Sequence, residues 1–66
     1  MCNNYKRERE RQGLTIEEAA SGIGILPSLL QRWEASEDEP FASDLYRMAE
    51  FYSCSPDYLL GLVNRR

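Results

Sequence analysis

Apolar residues recur at helical spacing in the middle of this chain. Leu26, Leu29, Leu30 and Trp33 stand at i, i+3, i+4 and i+7, which predicts an amphipathic helix with this stripe turned inward. Just upstream, Ala19, Ala20 and Ile23 share one face of a shorter helix, and their small side chains allow a close crossing. Thr15 starts that helix. Its hydroxyl can accept from the Glu18 amide while the Glu18 carboxylate reaches back to the Thr15 amide, a capping box. Gly24 suits the positive φ of a tight turn, and Pro27 suits a first helical turn, where a missing N–H costs nothing. Residues 15–34 therefore read as two short helices joined by a glycine turn, and the rest of the chain reads as their support.

The flanking segments are also helical. Asn3 or Asn4 can cap a first helix that runs to about Gln12 and stops at Gly13. Within YKRERERQ only Tyr5 is an apolar anchor, so the helix needs another attachment, and Arg9 is the candidate. The basic residues Lys6, Arg7, Arg9 and Arg11 read either as a solvated face with weak Lys6–Glu10 pairing, or with Arg7 and Arg11, one turn apart, touching a phosphate backbone. Leu14 suits the core. After Pro40, FASDLYRMAEFYS predicts a fourth helix with Leu45, Met48, Ala49 and Tyr52 at core spacing. Phe41, Tyr46 and Phe51 lie off that stripe, either covering the core's edges or forming a partner surface. Ser55 caps a fifth helix, Pro56 takes its first position, Asp57 favours the positive end of the dipole and Gly61 ends it. Leu59 and Leu60, with Leu62 and Val63, close the core or a dimer contact. Arg65 and Arg66 read as a solvated tail.

Charge changes this picture more than composition does. Sixty-six residues, 42% hydrophobic and 29% charged, are expected to form one globular domain over 1–66, small enough that association often contributes to stability. No apolar run approaches a membrane span, and MCNNYKRERE has no apolar signal core, so a cytoplasmic location is expected. Cys2 and Cys54 have no CxxC spacing; both read as reduced thiols, Cys54 as a small core residue. Residues 1–14 carry four bases and two acids, residues 15–40 one base and six acids, and the remainder three of each, giving the net −3. The acid thus falls on the central helix pair and the loop after it, the wrong sign for a phosphate surface. The chain has no histidine. Gly22-Ile23-Gly24 lacks both a preceding strand and a third glycine, so it is no nucleotide loop. With a chain too short to wall off a pocket, neither catalysis nor a cofactor nor a metal site is expected.

Read together, RERERQGLTIEEAASGIGI, LPSLLQRWE, Pro40 and LYRMAEFYSCSPDYLLG resemble the helix-turn-helix domains of Cro and the phage repressors, often called the Xre type. The resemblance covers nearly the whole chain. Its most specific parts are Arg9 four residues before Gly13, then Gly24, the Trp33-Glu34 pair, Pro40, and the ending Ser55-Pro56-Asp57-Tyr58-Leu59-Leu60-Gly61. It implies an all-α, compact five-helix bundle of the lambda-repressor-like DNA-binding type, with the helix-turn-helix unit at 15–35. It also implies that Arg9 pairs with Glu34, tying the first helix to the end of the third.

In such a fold the second helix of the unit reads the major groove of double-stranded DNA, and a homodimer is expected because one helix reads only a half-site. The outward residues Ser28, Gln31 and Arg32 can donate to bases or phosphates. Arg32 is the first choice, with Pro27 at the helix start and Arg7 and Arg11 toward the backbone. The chain departs from the family pattern where DNA would be touched. Ile16 stands where a glutamine commonly opens the helix, Leu26 and Pro27 where polar residues are usual, and Ala35-Ser36-Glu37-Asp38-Glu39 where a basic loop is common. Glu8 occupies a position often held by leucine. Two functions follow: a sequence-specific DNA-binding transcriptional regulator, or a protein-interaction module (antitoxin, antirepressor or assembly subunit) holding its partner through Ile16, Leu26, Leu29 or Tyr46, Phe51. The first is preferred, on the expectation that Leu26 and Leu29 turn inward and leave Ser28, Gln31 and Arg32 available.

Overall fold

Thr15 starts its helix as its sequence predicts. In the structure, a computed structural model that describes residues 3–66, the Thr15 hydroxyl accepts from the Glu18 amide at 3.1 Å and the Glu18 carboxylate accepts from the Thr15 amide at 2.9 Å. Five helices follow one another: α1 (Tyr5–Arg11), α2 (Ile16–Ile23), α3 (Pro27–Glu34), α4 (Ala42–Tyr52) and α5 (Pro56–Leu59). No strand occurs among the described residues. Gly24 ends α2 at φ +94°, a left-handed conformation that only glycine adopts without strain. Cys2 lies outside the described residues.

The core lies where α2, α3 and α4 meet. Ala19, Ala20 and Ile23 of α2 pack with Leu30 and Trp33 of α3, Met48, Ala49 and Tyr52 of α4, and Tyr58 and Leu59 of α5. Tyr5 brings α1 into the same cluster, and Leu14, Ile16, Ile25, Leu29, Leu45, Phe51 and Cys54 pack around its edge. Cys54 is thus a half-buried core neighbour, and burial followed by the nearby Glu8 charge pushes its thiol pKa up.

Polar groups do for α1 what apolar burial cannot. The Arg9 guanidinium forms a two-pronged pair with Glu34, Nε to Oε2 at 2.8 Å and Nη2 to Oε1 at 3.0 Å, and donates a third bond to the Leu14 carbonyl. Asn4 donates through Nδ2 to the Tyr58 carbonyl at 2.7 Å and its side chain makes no capping bond to α1, whereas the Asn3 side chain accepts from the Tyr5 amide. Lys6 and Glu10 form no ion pair among the described residues.

Two expectations are corrected and a third is narrowed. Leu26 does not turn inward and is 70% exposed: it is the extended N-cap of α3, ahead of the first helical turn, so the helical phase that buries Leu30 and Trp33 does not extend to it. Arg66 is not a solvated tail. It donates to the fully buried Glu8 carboxylate and to the Tyr52 carbonyl at the end of α4. Of the two places expected for Leu62 and Val63, the core is excluded, because both remain exposed.

Gly22 has a role invisible in the sequence. It lies on the exposed side of α2 with the Phe51 ring of α4 against it, where a Cβ would overlap the ring. Phe51 in turn packs on Tyr52 with ring centroids 5.2 Å apart. Gly22→Ala should therefore destabilise the protein by about 1 kcal/mol in urea unfolding, overpacking outweighing the gain in helix propensity. In a Phe51→Ala background the same substitution should be neutral or stabilising.

Candidate nucleic-acid interface

The two faces of α3 are chemically distinct. Leu30 and Trp33 are buried, and Leu29 packs at the core's edge, while Ser28, Gln31, Arg32 and Ala35 are exposed along the other side. Pro27 occupies the first helical position and is half-buried. The sequence-predicted residues Ser28, Gln31 and Arg32 thus come together on one open face. Capping at Thr15, the left-handed turn at Gly24 and the buried Trp33 hold that face in place relative to α2.

Arg32 is not idle on this face. Its Nη2 lies 2.9 Å from Asp38 Oδ2, with the two side chains 58% and 41% exposed. The loop after α3 is folded to make this contact. Ser36 takes φ +61°, and the Glu37 and Asp38 amides both donate back to the Arg32 carbonyl, at 2.9 and 3.4 Å. Asn3 braces the loop from the far side, donating to the Trp33 carbonyl and the Ser36 hydroxyl.

The two α1 arginines fare differently. Arg7 is exposed and makes no ion pair among the described residues. Arg11 is about half exposed, but Nε and Nη2 are both held by Glu8, the closest approach being 2.8 Å. Arg47 of α4 was not singled out from the sequence, yet its guanidinium lies beside Gly24 at the turn between α2 and α3 and pairs with Asp44 at 2.8 Å. No local pattern signals this placement, because the α2–α4 packing creates it.

Of the apolar residues offered as a partner surface, Ile16, Leu29 and Phe51 are half-buried and pack against the core's edge, whereas Leu26 and Tyr46 remain largely exposed. No His, Cys, Asp and Glu cluster able to hold a metal occurs among the described residues, and none of the described helices is long and apolar enough to cross a membrane.

A family model described as helix-turn-helix matches residues 6–59, which run from α1 to the end of α5. The chain belongs to the helix-turn-helix family. This helix-turn-helix chain is 35% identical over 63 residues to YobD, an HTH-type transcriptional regulator of Bacillus subtilis, covering 96% of the chain and 56% of YobD. It is 40% identical over 52 residues to repressor protein C2 of Salmonella phage P22, covering 76% of the chain and 24% of that repressor. The chain thus spans little more than half of one relative and about a quarter of the other. Its fold is similar to that of the P22 c2 repressor in a crystal structure with synthetic operator, with a TM-score of 0.85, 27% identity and 91% of each chain covered. A transcriptional regulator from Listeria innocua matches at a TM-score of 0.80 and 25% identity, covering 91% of this helix-turn-helix chain and 56% of that one. These relatives are named as regulators and repressors, not as enzymes.

Proposed function

We propose that this helix-turn-helix domain is a DNA-binding transcriptional regulator that reads the major groove with the outward face of α3. The observation that carries this reading is the joint exposure of Ser28, Gln31 and Arg32 on a rigidly seated helix, in a fold shared with a repressor crystallised with its operator. Ser28 and Gln31, near the start and middle of α3, can donate to base edges, and Arg32 to a base or phosphate. Pro27 sets the helix entry, and Arg7 is better placed than Arg11 for a phosphate because Glu8 already holds Arg11. Recognition as a homodimer follows from the half-site that one helix can cover.

Fluorescence anisotropy with duplex DNA from upstream of the gene, repeated across salt concentrations, tests this. The protein should bind that duplex more tightly than a scrambled one, with a shallow salt slope reflecting few phosphate contacts. Arg32→Ala should weaken specific binding by about 1–2 kcal/mol, roughly five- to thirtyfold. Specific binding untouched by Arg32→Ala would remove that residue from the interface. A second reading, a module that holds a protein partner, draws support from the exposure of Leu26 and Tyr46. Absence of duplex binding even at low salt would favour it.

A further inference from the structure

We propose that Asp38 is a built-in competitor for the DNA phosphate or base edge that Arg32 would contact, so that binding must exchange one acceptor for another. The inference rests on the DNA-binding reading above and deepens it.

Three observations hold the carboxylate against the guanidinium that the competing ligand would need. The Arg32–Asp38 contact is a short ion pair at 2.9 Å on the outward side of α3. The backbone holds Asp38 there, because the Glu37 and Asp38 amides are bonded to the carbonyl of Arg32 itself and Ser36 takes a left-handed conformation to permit it. The loop is also braced by Asn3 through Ser36 and Trp33. Glu37 and Glu39, the other two acids of the loop, form no ion pair among the described residues. Of the three loop acids, Asp38 is the one paired with a residue of α3.

The exchange needs no backbone movement. Arg32 is 58% exposed and Asp38 41% exposed, so rotation of the arginine side chain suffices to leave one acceptor for the other. After the exchange the Asp38 carboxylate stays close to the new phosphate or base, and like charge at short range lowers affinity further. Arg32 then brings little net charge to the duplex, since its partner arrives with it. Such an arrangement lowers non-specific affinity, which rests on net charge, more than it lowers affinity for a site that offers Arg32 well-directed acceptors.

The test is a double-mutant cycle on duplex binding with Asp38→Asn, Arg32→Ala and the pair, alongside Glu37→Gln and Glu39→Gln. Asp38→Asn should raise affinity roughly five- to tenfold by freeing Arg32 and removing the repulsion, and should steepen the salt dependence by about one unit of log–log slope. In the Arg32→Ala background the gain should shrink to about twofold, the residual effect of one fewer screened negative charge. Glu37→Gln and Glu39→Gln should give only that smaller gain in either background. A gain from Asp38→Asn that is the same with and without Arg32 would overturn the inference, reducing the loop to general repulsion. Specific binding by the wild type with no gain from Asp38→Asn would overturn it and leave the DNA reading standing. No duplex binding by either protein at low salt would overturn both.

Discussion

Arg9→Ala should cost about 3 kcal/mol of stability and Glu34→Ala about the same, while the double variant loses little more than either alone. The pair is two-pronged, and its side chains are only 12% and 7% exposed. Removing one partner strands the other's charge in a site that water barely reaches, which is why each single loss is large; removing both leaves no orphan. Arg9 also serves the Leu14 carbonyl at 2.9 Å, so its replacement additionally frees an acceptor at the α1–α2 junction. The hydrogen bonds that Arg9 donates to the Glu34 carboxylate raise the Arg9 pKa, against the opposing effect of burial, so the guanidinium stays charged throughout the accessible range. A chain of this size has roughly 5 kcal/mol of stability or less to lose. The measurement is urea unfolding of the four proteins at neutral pH. Losses that simply add would mean that the two residues act independently, and α1 would then need another anchor.

The second large effect concerns Glu8 and depends on pH. The Glu8 carboxylate is fully buried and accepts from Arg11, from Gln12 at 2.8 Å, and from Arg66 at 2.9 Å. Burial by itself raises its pKa, but the hydrogen bonds from Arg11, Gln12 and Arg66 and the charge of Arg66 outweigh this and hold it down at about 2. A carboxyl depressed in the folded state stabilises fully above its unfolded pKa of about 4.3 and loses that contribution as pH falls through about 2. Replacing Arg11 and Arg66 together by alanine should lower stability at pH 7, by less than the Arg9 substitution does. Both arginines are partly exposed, and their removal admits water to the carboxylate. The gap between wild type and variant should narrow as pH falls below about 4 and close near pH 2. Thermal melts from pH 7 to 2 read this directly, and a gap that does not change with pH would sink the account. Glu8→Leu, the residue common at this place in the resembled family, should instead hold or raise stability at neutral pH, because a packed apolar side chain can replace a buried ion network without loss.

These two polar anchors show how far the chain could be read in advance. The capping box at Thr15 and Glu18, the turn at Gly24 and the proline starts at Pro27 and Pro56 were legible because each depends on contacts within a few residues. The Arg9–Glu34 pair spans 25 positions and was legible only through the family resemblance. Glu8–Arg66 spans 58 positions and departs from the family pattern, so no comparable signal existed for it. Leu26 misled because a helical stripe was extended one residue past the start of its helix. On the face proposed to read DNA, Ser28, Gln31 and Arg32 could be assigned opposite Leu30 and Trp33 from periodicity alone. The acidity of residues 37–39 was equally plain. That Asp38, and not Glu37 or Glu39, would reach Arg32 was not, since it depends on a left-handed residue at Ser36 and on two amides folded back to one carbonyl.

The sequence by itself determined the helices, their order and the inward face of Leu30 and Trp33, since helix starts, stops and apolar faces are local properties of neighbouring residues, and the bundle they form was implied through the family resemblance. Only the tertiary structure decided which charges are spent and which remain on the surface. Arg9, Arg11 and Arg66 are held inside the protein's own network, Arg32 is shared with Asp38, and Arg7 is left in solvent. The reason is physical: charge in a sequence is a count, but a charge's availability depends on what lies within a few ångströms of it, and at that range the neighbours are set by how the helices pack.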